Sequence, residues 1–333
     1  MGDAVMTVTI KDIAEAAQVS VATVSRVLGN KEGFYSEKTA KKVRKVATKL
    51  GYRKNTSAVE LVTRKSQVLG VIVAATKTNF SNQIIEGIQD EAFKKGLSVI
   101  ILYANENDSE SQARALQTVI ERSVMGILVL AIQLMDDNLA LLKDSRIPYR
   151  FLSTSFYGNK LPFTASDDFQ IGYQATDFLI RKGHQKIGIV AIDTSLFIGQ
   201  QRVAGYRQAM QDAQLSVRDC WIRVGKFTYQ DGVAAMAAFG PQPDVTAIIG
   251  GSDMAAIGVL NQAQSLGLEI PDQLAVMSID GTELVKIVRP KITSVTQSFY
   301  EMGKMGTRLL LETEVKPQSE YVPFKIEERQ STR

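Results

Sequence analysis

The chain of 333 residues has little of several residue types that mark particular chemistries. It contains one cysteine, Cys220, so no intrachain disulfide forms, and a cytoplasmic setting is expected. Its one histidine, His184, excludes histidine-rich metal sites and leaves a Ser-His-Asp triad dependent on that residue alone. His184 sits in "RKGHQKI", between a helical and a strand pattern, and reads as a hydrogen-bonded turn residue. No apolar run approaches the ~20 residues of a membrane span. The opening "MGDAVMTVTI" carries Asp3 and lacks the basic segment and long apolar stretch of a secretory signal. There is no G-x-x-x-x-G-K-[ST] and no dinucleotide glycine fingerprint after a strand. Catalytic residues, metal ligands and cofactors are therefore not assigned. Cys220 and its neighbour Trp221, the single tryptophan, read as packed core residues.

What is present is an uneven charge. Residues 1–65 hold 13 Lys+Arg against 6 Asp+Glu, a net of +7; the rest hold 26 against 29, a net of −3. A basic head on a mildly acidic body points to an anionic polymer at one end, although a solvated basic helix gives the same count. Within the head, "TIKDIAEAAQ" has Thr9 and Asp12 at capping-box spacing and a narrow stripe of Ile13, Ala14 and Ala17. "VSVATVSRVL" then opens on Ser20 as N-cap, with Val24, Val27 and Leu28 on a core-facing side. Its other side, Val21, Ala22, Ser25 and Arg26, is small and nearly bare except for one cation. Two short helices this close predict a helix-turn-helix, whose second helix enters the major groove. A small face lets the backbone sit deep, and Arg26 suits the O6 and N7 of guanine. "SEKTAKKVRKVATKLGY" predicts a third helix capped by Ser36 and stopped at Gly51. Ala40, Val43, Val46, Ala47 and Leu50 face inward, and Lys41, Lys42, Arg44, Lys45 and Lys49 face outward.

These strings, in this order, closely resemble the DNA-binding head of the lactose-repressor/galactose-repressor (LacI/GalR) family. The resemblance places Thr9, Ser20, Thr23, Ser25, Asn30 and Tyr35 at the DNA beside Val21, Ala22 and Arg26. Gln18 departs from the glycine usual in the turn, where a left-handed conformation costs roughly 1 kcal/mol. By resemblance residues 55–62 are a hinge helix, with Asn55 at the DNA, Ala58 in close helix pairing and Leu61 as a minor-groove wedge. So short a helix is marginal alone and is expected to form only on DNA in a dimer. Lys54 replaces the usual proline, and Glu60 places an acid near phosphates, which predicts a looser hinge.

From "VLGVIVAA" (68–75) onward, apolar runs at 98–104, 125–130, 186–191, 247–250 and 275–280 alternate with amphipathic stretches near 82–96, 109–123, 169–182, 200–213 and 253–266. Continuous apolar strands separated by helices predict parallel sheets covered on both faces, in two lobes, with ligands beyond the carboxyl ends of the strands. "FSNQIIEGIQDEAFKKG", "DFLIRKGHQKIGIV", "QQRVAGYRQAM", "SDMAAIGVL", "ITSVTQSFYEMG" and "ERQSTR" extend the resemblance over the chain. The fold class expected is a small all-α helix-turn-helix head on an α/β core of two doubly wound parallel-sheet lobes, like a periplasmic binding protein. The expected division is head 1–54, hinge and linker 55–66, and core 67–333. The N-lobe takes about 67–166 and 299–325, the C-lobe about 167–298 and 326–333.

Carried over by position, Arg202 in "QQRVAGY" matches the effector-gripping arginine and Asp280 the carboxylate that accepts from ligand hydroxyls. Phe80 walls the pocket beside Asn79, Phe227 stacks on the ligand, and Gln297 with Phe299 forms a polar–aromatic pair. Ser252 stands where asparagine is common. Ser153, in "FLSTSF", stands where many relatives have aspartate, and Leu196 and Ile198 are apolar in a loop that is often polar. Such a pocket suits a less hydroxylated, larger or phosphorylated ligand.

The function expected is a homodimeric repressor of a carbohydrate operon, bound to palindromic operator DNA and controlled by a sugar or sugar phosphate. Inducer and corepressor remain equally open, as does a nucleoside- or purine-responsive regulator of the same fold. Some relatives bind a phosphorylated carrier protein on the lobe surface, which stands as a further possible partner. A free solute-binding protein conflicts with the basic head, and an α/β enzyme lacks a catalytic constellation.

Overall fold

The computed structural model describes residues 8–29, 33–52, 66–75, 79–156, 161–312 and 318–332. The chain divides into two compact units, Met1–Lys65 and Ser66–Arg333.

The first unit holds α1 (Ile10–Ala17), α2 (Val21–Leu28) and α3 (Glu37–Lys49). The capping box forms: Asp12 N–H donates to Thr9 Oγ1 at 3.4 Å, and Thr9 N–H donates to the Asp12 carboxylate at 2.7 Å. Those bonds from Thr9 hold the Asp12 carboxyl below its ordinary range. Ser20 and Ser36 accept from the N–H groups of Thr23 and Thr39 at 3.1 and 3.2 Å. Gln18 takes the left-handed conformation the turn demands, at φ 51° and ψ 48°. Ile13, Ala17, Val24, Val27, Ala40 and Val43 form a small core. Leu50 corrects the expected inward face of α3, being 37% exposed. The helix ends at Lys49, and Gly51 at φ +69° reverses the chain. Tyr52 N–H then donates to Ala47 O at 2.9 Å, and Tyr52 packs on the core instead.

The second unit contains two six-stranded sheets. In chain order the first lobe runs β1 (Val68–Ala74), α4 (Ser81–Lys94), β2 (Ser98–Ala104), α5 (Ser109–Glu121), β3 (Gly126–Leu130), α6 (Asp136–Asp144), β4 (Tyr149–Leu152) and β5 (Phe163–Ala165). The second lobe runs α7 (Asp168–Arg181), β6 (Ile187–Ile192), α8 (Phe197–Asp212), β7 (Ile222–Val224), α9 (Tyr229–Phe239), β8 (Ala247–Gly250), α10 (Asp253–Ser265), β9 (Ala275–Asp280), α11 (Leu284–Ile287) and β10 (Thr293–Gln297). The chain then returns to the first sheet with α12 (Phe299–Leu311) and β11 (Glu320–Tyr321), and ends on the second with β12 (Phe324–Glu327). The strand orders are β11-β5-β4-β3-β1-β2 and β12-β10-β9-β8-β6-β7.

Central strands β3, β6, β8 and β9 are buried along their whole length, as continuous apolar runs between helices require. Among the described residues every strand pair is parallel except β10 with β12. The exception has a geometric cause. Parallel β11 ends at the carboxyl edge of its sheet, so a strand starting three residues later on the facing sheet must run away from that edge. Three crossings thus join the lobes: β5 to α7, β10 to α12, and β11 to β12. Close helix packing relies on Gly172, where an added Cβ would lie 2.0 Å from Arg202 O.

His184 Nδ1 lies 3.0 Å from Thr246 Oγ1, the turn contact expected. Trp221 is buried and donates through Nε1 to Asp244 at 3.0 Å, but Cys220 is exposed, contrary to its reading as packed. The two are neighbours on a short 3-10 turn, so their side chains leave it in different directions. No described helix is long and apolar enough to cross a membrane.

Candidate functional site

On α2 the bare face is open: Val21, 47% exposed, together with Ala22, Ser25 and Arg26. Ser20 and Thr23 also tie their hydroxyls together at 2.8 Å, and Thr9 is engaged in its capping box. Tyr35 is half-buried against the head core. One contact was not read from sequence: the Arg26 guanidinium lies 5.2 Å from the centre of the Phe34 ring, and Phe34 is 65% exposed. Along α3, Lys41 pairs with Glu37 at 3.2 Å, an exposed pair of little energetic weight. Asn30, Asn55, Ala58 and Leu61, with Lys54 and Glu60, lie outside the described residues.

In the second unit a cavity of about 320 Å³ lies at the carboxyl ends of both sheets' strands. The first sheet contributes Phe80 after β1, Glu106 and Asn107 after β2, Gln133 after β3 and Ser153 after β4. From the second come Asp193 after β6, Lys226 and Phe227 after β7, Ser252 after β8, Asp280 ending β9 and Gln297 ending β10. Leu196, Phe197 and Ile198 open α8 against it. Of the residues carried over by position, Phe80, Ser153, Ile198, Arg202, Phe227, Ser252, Asp280 and Gln297 line the cavity. Two do not. Asn79 is exposed, turned out where the loop enters α4. Phe299 is fully buried and stacks behind Phe80, with ring centres 5.1 Å apart.

Arg202 and Asp280 are not paired with each other. Arg202 Nε donates to Asp168 at 2.8 Å and Nη1 to Gly251 O at 2.9 Å, and its guanidinium lies 5.7 Å from the Phe227 ring centre. A Cβ on Gly251 would lie 2.9 Å from Ala191 O and 2.7 Å from Ile192 Cδ1, so a larger residue there forces its neighbours to shift. Asp280 accepts from Gln297 Nε2 at 3.1 Å. Burial, then the nearby Asp253, push the Asp280 carboxyl well above its ordinary range, and Arg202 only partly offsets them. Asp168 is also raised by burial, against the pull of Arg202. Asp253 accepts from the N–H groups of Gly281 and Thr282, which fixes the loop after Asp280. Ser252 spends its hydroxyl on structure: it donates to Phe227 O at 2.6 Å and accepts from Ala255 N–H at 3.1 Å as the cap of α10.

A second charge group was missed in the sequence. Lys226 Nζ donates to Asp193 at 2.6 Å, and Ser195 donates to the other Asp193 oxygen at 2.5 Å. Burial pushes Asp193 up, but the bonds from Lys226 and Ser195 outweigh it and leave the carboxyl low. Glu106 faces this pair from the other lobe, and burial followed by Asp193 raises its carboxyl. The available signal was positional: Glu106, Asp193 and Lys226 each stand two residues or fewer beyond a strand's carboxyl end.

A helix-turn-helix unit and a two-sheet core with a cavity at its strand ends together define a ligand-sensing regulator of the periplasmic-binding-protein type. Residues 9–55 match the bacterial regulatory proteins of the lacI family, and residues 66–306 match the periplasmic binding proteins and sugar binding domain of the LacI family. The chain belongs to the LacI family and is a DNA-binding transcriptional regulator with an effector-binding core. It is 32% identical to catabolite control protein A of Priestia megaterium, over 98% of this chain and all of that protein. Among solved structures it resembles a transcription regulator from Lactobacillus plantarum, with 45% identity, 79% of this chain and 98% of that one covered, and a TM-score of 0.74. It also resembles the transcriptional regulator CelR in its cellobiose complex, with 25% identity, 97% and 99% covered, and a TM-score of 0.75.

Proposed function

We propose that this regulator is a homodimeric repressor of a carbohydrate-utilisation operon, and that a sugar in the core cavity controls its affinity for a palindromic operator. The observation that carries the reading is the cavity itself: one wall from each sheet, aromatic rings of Phe80 and Phe227, and hydroxyl-seeking Arg202, Asp280 and Gln297 between them. Apolar ring faces with a few convergent polar groups are what a sugar requires. A relative solved with cellobiose supports the same class of ligand. Because the site has a wall from each lobe, bound ligand favours one lobe arrangement, and differential affinity for two arrangements is what regulation needs. On the head, α2 offers the groove-facing surface, with Arg26 as the guanine reader, and a two-fold dimer reads two half-sites.

The test is a thermal-shift screen of the full chain against sugars, nucleosides and purines. A sugar is expected to raise the melting temperature by linkage. Stabilisation by a nucleoside or purine alone, with every sugar silent, overturns the carbohydrate reading. A phosphorylated carrier protein is the rival controller, and DNA binding that answers to such a protein but to no small molecule decides for it.

A further inference from the structure

Resting on the reading of the cavity as the effector site, the arrangement of charge inside it narrows the ligand further. Among the described lining residues both cations are already matched, Arg202 by Asp168 at 2.8 Å and Lys226 by Asp193 at 2.6 Å. Glu106 from one lobe and Asp280 from the other also face the space, and neither has a cation bonded to it among the described residues. Two uncapped helix starts, those of α4 and α8, lie beside the cavity, but each presents only about half a positive charge. The α8 start also has Asp193 against it, whose backbone oxygen would lie 2.0 Å from a Cβ on Gly199. Against this stand the Glu106 and Asp280 carboxyls, which Lys226 and Arg202 reach only through space and which have no bonded cation among the described residues. Nor is Glu106 on a loose loop. The fully buried Gln112 donates to Glu106 O at 2.7 Å and accepts from Met135 N–H at 2.9 Å, tying together the loops after β2 and β3.

We infer that Glu106 of one lobe and the Asp193–Lys226 pair of the other form a polar subsite that takes an uncharged, polyhydroxylated ligand and rejects its phosphate ester. Carboxylate oxygens accept hydroxyl protons, and the Lys226 ammonium donates to hydroxyl or ring oxygens. A phosphate brings a charge of nearly −2 toward the same oxygens, and juxtaposed like charge discriminates strongly against the wrong ligand. This sets aside the phosphorylated effector that the apolar loop and Ser153 had left open.

The test is calorimetry on the full chain at pH 7 with glucose, sucrose and cellobiose, each beside its 6-phosphate, on wild type and Glu106→Gln. The sugar that binds wild type best is expected to bind at least about tenfold tighter than its phosphate. In Glu106→Gln that preference should fall several-fold, since one of the repelling charges is gone. A phosphate ester binding wild type as tightly as the sugar, or tighter, overturns the inference and leaves the carbohydrate reading standing. Undiminished discrimination in a folded Glu106→Gln protein overturns Glu106 as selector. Should that variant not fold, the wild-type comparison decides alone. Silence from all six compounds overturns the carbohydrate reading and this inference with it.

Discussion

Replacing Arg202 by methionine separates its structural role from its ligand role. The guanidinium is 8% exposed and its partner Asp168 is 6% exposed, so the variant leaves a buried carboxylate without its cation. Breaking a buried pair from one side costs about 3–5 kcal/mol, because the remaining charge keeps its desolvation penalty. Methionine fills much of the lost volume, so little of the effect comes from a cavity. For a unit of this size 1 kcal/mol moves the midpoint by about 2–4 °C, so the core should melt roughly 6–20 °C lower. The sign with pH is fixed. A carboxyl raised on folding favours the folded state below its unfolded value near 3.9, and that contribution is lost as pH rises toward the folded value. Without Arg202, Asp168 is raised further, so the deficit against wild type should shrink as pH falls from 7 toward 5. Adding Asp168→Asn to Arg202→Met removes the stranded charge and should restore at least half of the loss, while effector affinity stays low. Differential scanning calorimetry at two pH values measures all of this. An Arg202→Met core that melts with wild type at pH 7, or a double variant less stable than the single one, refutes the reasoning.

Other outcomes follow from the same contacts. Asp280→Asn keeps the shape but loses a charge-assisted bond of ~1.5–3 kcal/mol, so calorimetry should show effector binding weakened ~10- to 150-fold. Because burial and Asp253 raise Asp280, the same variant should melt higher than wild type at pH 7, with the gap closing on acidification. Phe34→Ala removes an exposed cation–π contact worth ~0.5–1 kcal/mol and should weaken operator binding by roughly two- to fivefold, with tryptophan restoring it; equal affinity for Ala and wild type in gel shifts contradicts the contact. Arg26→Ala should cost ~1–3 kcal/mol on operator and little on random DNA, whereas Lys42→Ala should weaken both and flatten the salt slope. Leu61→Ala should reduce DNA bending in a circular-permutation assay while sparing nonspecific binding, as an uncharged wedge requires.

The parts legible in the sequence are those written in local chemistry. Thr9, Ser20 and Ser36 are short polar residues before periodic apolar runs, and all three cap as their spacing implies. The apolar runs that became β2, β8 and β9 match the strands end to end. β8 and β9 are buried along their whole length, as strands covered on both faces require, whereas β2 is an edge strand, exposed at Ser98 and Tyr103 and legible from its apolar stretch Val99 to Leu102. Short strands escaped notice: β5 and β7 have three residues each, too few to show a period. The start of α9 was readable but unread, since Thr228 and Asp231 form a second capping box. In the cavity, Arg202 and Asp280 were found by resemblance, but their separate partners were not. Asp168 lies on another helix and Gln297 on another strand, and only the tertiary fold brings them together. Glu106, Asp193 and Lys226 stand on three loops, and nothing local marks them as neighbours.

The central claim is that a sugar in the core sets the affinity of the head for DNA. The most direct measurement selects duplexes from a randomised pool with the full chain, then follows binding of the enriched duplex by fluorescence anisotropy as sugar is added to calorimetric saturation. The account predicts an enriched inverted repeat bound by a dimer and an affinity shifted at least about tenfold by the sugar, equivalent to about 1.4 kcal/mol of coupling. An enriched site without two-fold symmetry, or an affinity unchanged with the cavity saturated, contradicts it.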